Sequence, residues 1–168
     1  YRYDLRTRGF VQDSLISDIK VKSLFLDSRD RVWVGTAGRG LWIYEKDPVY
    51  HYDRTNLLNN NWIKAIEEDP FGNFWVATSG GGINHLTPTD SSATQFTVDV
   101  YSRGTGMKED RITDLVIDDF NRVWFSTLGS GIGVILQDGA ILSFGAEEGL
   151  SAQSVRSLSL DSYNWLWV

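Results

Sequence analysis

The stretch DSRDRVWVGT, residues 27–36, places an acid six positions before a tryptophan and closes on Gly-Thr. The arrangement returns along the chain. DSRDRVWVGTAGRGL begins at Asp27, DPFGNFWVATSGGGI at Asp69, DDFNRVWFSTLGSGI at Asp118 and DSYNWLWV at Asp161. The spacing of six is kept throughout: Asp27 to Trp33, Asp69 to Trp75, Asp118 to Trp124, Asp161 to Trp167. A β-branched residue lies six before each acid and an Ile or Leu three before it: Val21 and Leu24, Ile63 and Ile66, Ile112 and Leu115, Val155 and Leu158. The acids are 42, 49 and 43 residues apart, and TPTDSSATQ (87–95) is the insertion that lengthens the middle interval. A period of about 40 to 50 residues is that of a propeller blade.

Within one period four short strands are read, in the first copy VKSLFLD, RVWVGT, LWIYE and VYHYD. The joint DSRDR is a tight turn in which the Asp27 carboxylate accepts from backbone N–H groups two or three residues on. The joint AGRG supplies glycines for positive φ. No segment keeps a 3.6-residue apolar period, and β-branched and aromatic residues fill the strands. The expected fold is therefore all-β, a β-propeller fragment of four-stranded antiparallel blades stacked radially. Blades are expected at 19–53, 62–101 and 112–145, with 1–4 as the last strand of a preceding blade and 155–168 as the first half of a further one. Propellers have about 4 to 8 blades, so a piece of a longer protein is expected.

The chain has 168 residues and is 42% apolar, enough to bury a core. Its 22 acidic and 16 basic residues leave a net charge of −6. That balance works against nucleic acid and anionic membranes, which select a basic face. There is no cysteine, so thiolate chemistry and disulfides are out. No apolar run approaches the roughly 20 residues of a membrane span, and YRYDLRTRGF at the start lacks the apolar stretch of a signal peptide. No membrane insertion by this segment is expected.

The repeated residues read as structure. Trp33, Trp75, Trp124 and Trp167 fill the space between blades, and Asp27, Asp69, Asp118 and Asp161 make turns. The runs GTAGRG, SGGG and GSGIG are followed by strands, not by the helix N-terminus a phosphate cradle needs. His51 and His85 fall in strands without metal-ligand spacing. The pairs Glu67/Glu68, Asp118/Asp119 and Glu147/Glu148 are adjacent residues, which on a strand point to opposite faces and form no dyad. A GxSxG elbow is missing. On the axis-lining strands Lys22, Lys64, Thr113 and Arg156 are followed by Ser23, Ala65, Asp114 and Ser157, a mixed set. The expectation is a non-catalytic chain with no metal and no cofactor.

Ligand residues are then sought where copies differ, on the rim formed by the turns between second and third strands and the loops into the next blade. Those loops are 54–62, 102–111 and 145–154. Trp42, Trp62 and Trp165 stand outside the repeated position. Trp62 follows Asn59, Asn60 and Asn61, and an aromatic face beside amides is what a sugar ring uses. Arg39, Arg103, Lys108 and Arg111 add positive groups that hold a carboxylate or sulfate. The unpaired strand edges are expected to recruit a second copy, YRYD of one chain completing the final blade of another.

The pattern GLSAQSVRSLSLDSYNWLWV (149–168), with its relatives ending WVGTAGRGL and WVATSGGGI, resembles the two-component regulator propeller repeat. Gly72 keeps the glycine usual in that family's first turn, where Asp30, Asn121 and Asn164 stand in the other copies. The resemblance implies a sensor region outside the cytoplasmic membrane, periplasmic or extracellular, of a bacterial receptor whose remaining chain carries the signal. The resemblance is silent on the ligand, and an oligosaccharide or other small molecule is the one expected. A propeller enzyme acting on glycans, a lyase or hydrolase, and a protein-interaction propeller are the competing readings. The resemblance transfers no site residue.

Overall fold

The computed structural model describes residues 2–4, 6–12, 15, 18–45 and 49–168. It opens with a hairpin of β1 (Arg2–Asp4) and β2 (Gly9–Val11). Three four-stranded antiparallel sheets follow. The first blade is β3 (Val21–Leu26), β4 (Val32–Thr36), β5 (Leu41–Tyr44) and β6 (Val49–Tyr52). The second is β7 (Ile63–Glu68), β8 (Phe74–Thr78), β9 (Ile83–Pro88) and β10 (Phe96–Tyr101). The third is β11 (Ile112–Ile117), β12 (Val123–Thr127), β13 (Ile132–Ile135) and β14 (Ile141–Phe144). A last pair joins β15 (Ser159–Leu160) to β16 (Leu166–Trp167). Strands run in sequence order across every sheet, and β7 lies against both β3 and β11. The all-β propeller architecture expected from the repeat is thus present.

One boundary differs from the sequence reading. Residues 1–4 were expected to form the strand directly before the first blade, but β2 intervenes and pairs with β1. The alternating aromatics of YRYD are a pattern any half-buried strand shows, so they do not identify the last strand of a blade. Tyr1, and residues 46–48 of the first blade, lie outside the described residues.

The spacing of six has a physical cause. Asp27 Oδ1 accepts from the backbone N–H of Arg29 (3.0 Å) and Arg31 (2.8 Å), while its Oδ2 accepts from the Trp33 indole Nε1 (2.8 Å). Asp118 and Asp161 take the indoles of Trp124 (2.9 Å) and Trp167 (3.0 Å) in the same way. One carboxylate therefore caps the turn and fixes the ring that fills the blade interface. The turn needs a left-handed residue three after the acid, and Asp30 (φ 60°), Gly72 (80°), Asn121 (54°) and Asn164 (61°) supply it.

Each innermost strand also begins with a bulge. Pairing shifts between Val21 and Ser23, Ile63 and Ala65, and Ile112 and Asp114, leaving Lys22, Lys64 and Thr113 as the extra residues. A bulge bends the strand and adds twist where it enters the blade.

Blades are held by apolar packing and a backbone clasp. Trp33, Ile43, Ile63, Ile66, Phe74 and Val76 join the first interface; Trp75, Ala77, Ile112, Leu115, Val123 and Phe125 join the second. Trp33 is 0% exposed and stacks on Phe74 at 4.0 Å, whereas Trp167, at the end of the last pair, is 64% exposed. In the clasp, the Asn61 carbonyl accepts from Gly38 and Gly40, that of Asp110 from Gly80 and Gly82, and that of Gln153 from Gly129 and Gly131. Thr36, Thr78 and Thr127 brace these turns by donating to the carbonyls of Gly40, Gly82 and Gly131. Gly82 (φ 73°) has no substitute, because a Cβ there would meet the Tyr101 carbonyl at 2.0 Å.

Candidate functional site

The clasp fixes the rim on which the variable loops stand. Its turns, β4–β5, β8–β9 and β12–β13, are stitched to the loops entering β7, β11 and residue 155, so side chains from two blades meet at every joint. This is a rigid base for residues free to differ between copies.

The asparagines shape the first loop from inside. Asn59 donates from Nδ2 to the Gly81 carbonyl and accepts on Oδ1 from Nδ2 of the fully buried Asn84 (2.9 Å). Asn60 Oδ1 accepts from the Trp62 N–H (2.8 Å), and Asn61 Oδ1 from the Arg54 N–H (2.8 Å). Trp62 is thereby held by its backbone, with its carbonyl accepting from Ser79 N–H (2.8 Å). The residue is 51% exposed and its indole lies over Gly38, where an added Cβ would come within 3.3 Å of Nε1.

Beside it is a hollow of about 590 Å³ lined by Asp18, Arg39, Trp42, His51, Asp53 and Asn61 among others. Trp42 and His51 face each other across β5 and β6 and stack at 4.1 Å. The ring is anchored through His51 Nε2, 2.8 Å from the Arg39 carbonyl. Asp53 accepts from the Thr55 hydroxyl (2.6 Å) and N–H (2.7 Å), which hold its carboxyl below the usual range. The arrangement offers an aromatic shelf, an exposed guanidinium and a charged carboxylate within one joint. It suits a polyhydroxylated ligand with an apolar face.

The other candidates are placed differently. Lys108 borders a second hollow, of about 280 Å³, with Ser130, Glu147, Glu148 and Gln153. Arg111 is a strut: it pairs with Glu109 at 2.7 Å and donates to the Leu128 carbonyl at 2.8 Å. The hydrogen bond between them is the main cause holding the Glu109 carboxyl below its ordinary value. Arg103 opens a short 3-10 turn, Arg103–Thr105, its N–H bound to Asp110 Oδ1 (2.6 Å) and its side chain in solvent. The structure thus unites Arg39 and Asn61 in one hollow with Trp62 at its edge. It does not bring Asn59, Asn60, Arg103, Lys108 or Arg111 into it. Trp42 and His51 were missed as a pair, although strand pairing of LWIY with VYHY aligns them.

A family profile described as two component regulator propeller matches residues 14–38 and 57–80. The matches take in β3 and β4 with the turn after them, and β7 and β8 with the turn after them. No curated protein sequence matches the chain. Among solved structures, the extracellular domain of the hybrid two component system BT3049 from B. thetaiotaomicron aligns over 98% of this chain and 23% of its own, at 23% identity and TM-score 0.81. The extracellular domain of the hybrid two component system BT4673 from the same organism aligns over 88% of this chain and 21% of its own, at 25% identity and TM-score 0.72. Virginiamycin B lyase from Staphylococcus aureus shares the fold at 21% identity and TM-score 0.69, over 90% of this chain and 49% of its own. The chain therefore spans under a quarter of the length of the two sensor domains. The same acid, tryptophan and clasp are built into the third blade, outside the two matched segments.

Proposed function

We propose that this chain is a non-catalytic ligand-binding segment of the extracellular sensor propeller of a bacterial signalling receptor, whose remaining chain is its partner and whose ligand is an oligosaccharide or other small molecule. The observation that carries this reading is the rim hollow, where Arg39, Trp42, His51, Asp53 and Asn61 converge beside the half-exposed Trp62. The repeated acids and tryptophans serve the scaffold. The residues that vary between copies meet at a place accessible to solute. The profile match and the likeness to two extracellular sensor domains support the receptor context, and among the described residues no helix is long and apolar enough to cross a membrane.

The test is calorimetric titration of a panel of defined oligosaccharides, with product analysis after long incubation. Saturable binding without turnover is expected. Trp62→Ala and Arg39→Ala should each weaken binding by about tenfold while shifting the thermal midpoint little. Release of a cleaved product would replace this reading with a glycan-processing enzyme. A large stability loss in Trp62→Ala with unchanged affinity would return that ring to a structural role.

A further inference from the structure

The three complete copies of the acid turn differ in what neutralises the acid. Asp27 is paired with Arg31 at 2.7 Å and Asp118 with Arg122 at 2.6 Å. Asp69 is only 5% exposed, yet Asn73 stands where the other copies have arginine. Asn73 Nδ2 donates to Asp69 Oδ2 at 3.0 Å, and the Trp75 indole reaches it at 3.4 Å, against 2.8 Å for Trp33 on Asp27. A carboxylate removed from water with no cation beside it is costly.

The place of the missing side chain is open. Between the second and third blades lies a hollow of about 310 Å³, on the side of the β7–β8 and β13–β14 turns. At the first interface the equivalent volume is closed by the Arg31 guanidinium, which donates to the carbonyls of Ser92 (2.9 Å) and Ala93 (2.7 Å) in the β9–β10 insertion. The β13–β14 turn, 136–140, borders the hollow through Leu136 and Gln137 without filling it. Two buried polar atoms on the hollow's lining have no partner, His85 Nε2 and Asn121 Oδ1. Trp75, stacked on His85 at 4.0 Å, and Tyr101 supply aromatic surface, with Phe71 exposed beside them.

We propose that this hollow is a binding site for a small guanidinium-bearing molecule, whose head group takes the position Arg31 holds one interface earlier. Asp69 supplies the counter-charge, and the Asn121 amide oxygen and the unprotonated nitrogen of His85 accept further N–H bonds. A planar, delocalised cation also suits aromatic surface better than a compact ammonium does. The volume lies at the lower end of the range for ligand pockets, about 300 to 1,000 Å³, which limits the occupant to a small molecule.

The probe is L-arginine, with L-citrulline as its uncharged isostere, titrated into the intact chain by calorimetry and by the Trp75 indole N–H resonance. L-arginine is expected to saturate and to bind at least about tenfold tighter than L-citrulline. Asn73→Arg, which restores the internal pair, should abolish binding and raise the thermal midpoint. His85→Val, the residue type of the third blade, should weaken binding by about tenfold without unfolding the chain. Trp62→Ala should leave L-arginine binding unchanged, which separates this site from the rim. Equal affinity for L-citrulline, an Asn73→Arg chain that still binds, or no saturable binding of L-arginine would each overturn the proposal.

Discussion

The first and second blade interfaces use the same frame and close it differently. At the first, Phe25, Arg31 and Ile43 face the neighbouring blade, and the guanidinium is sealed under the β9–β10 insertion. At the corresponding positions the second blade has Glu67, Asn73 and His85, all bordering the third blade. The third blade returns to Val116, Arg122 and Val134. These three departures of the middle blade are toward smaller or more polar side chains, and all fall on one face. A propeller interface carried by its Trp, Asp and clasp residues therefore tolerates polar substitution elsewhere, and a hollow forms where the substitutions cluster.

The largest effect expected of any single change is at the sealed interface. Arg31 is 1% exposed and bound to Asp27 and to two carbonyls of the next blade. Arg31→Ala leaves that carboxylate buried and unpaired, a loss of about 3 to 5 kcal/mol. In the third blade the Asp118 carboxylate is equally buried but the Arg122 side chain is 39% exposed, so water can take the place of the guanidinium and Arg122→Ala should cost less, about 1 to 2 kcal/mol. Denaturant unfolding of the two variants measures the contrast directly. Equal losses would show that the insertion does not seal the first interface.

The second interface should instead reveal itself through pH. Glu67 lies where the other blades have Phe25 and Val116, and burial, helped by the charge of Asp114, pushes its carboxyl up to about 7. The unfolded chain gives up this proton near 4.5, so between those values the folded state holds more protons and rising pH favours unfolding. Burial pushes the His85 imidazole down against the pull of Asp69 and Asp99, which contributes the opposite slope. The useful quantity is thus the difference between Glu67→Gln and the parent chain. It should be near zero at pH 4 and grow to roughly 2 to 3 kcal/mol in favour of the glutamine chain by pH 8. A difference that does not change with pH would mean the carboxyl is solvated.

Much of this frame was readable beforehand. The acid to tryptophan spacing, the turn residues and the blade period all lie in repeated positions, and repetition exposes them. The bond from indole to carboxylate that explains the spacing was not readable, because it depends on how β3–β4 hairpin geometry turns a ring back over its own turn. On the rim, Trp62 was found because it breaks the pattern. Trp42 and His51 were overlooked as partners because they become neighbours only through strand register. The second interface was hidden for another reason. Seeking the repeat favours what copies share, whereas Glu67, Asn73 and His85 are informative only as differences at matched positions.

The smallest of these contrasts concerns one pair of hydrogen bonds. Ser28 donates from N–H and from hydroxyl to the two oxygens of Glu68, both at 2.7 Å, across the first interface. The matching positions at the second interface are Pro70 and Ile117, which have neither the N–H nor the carboxylate. Because Ser28 is exposed, water replaces much of what the hydroxyl loses, and Ser28→Ala should cost only about 0.5 to 1 kcal/mol. Ser28→Pro removes the backbone donor as well and gives the first blade the residue of the second, so it should cost somewhat more than Ser28→Ala. Native-state hydrogen exchange along β7 reads both, since loosening this edge should speed exchange on the β3 side. Unchanged exchange in Ser28→Pro would show that the clasp and the apolar packing alone set the stability of the first interface, as they must at the second.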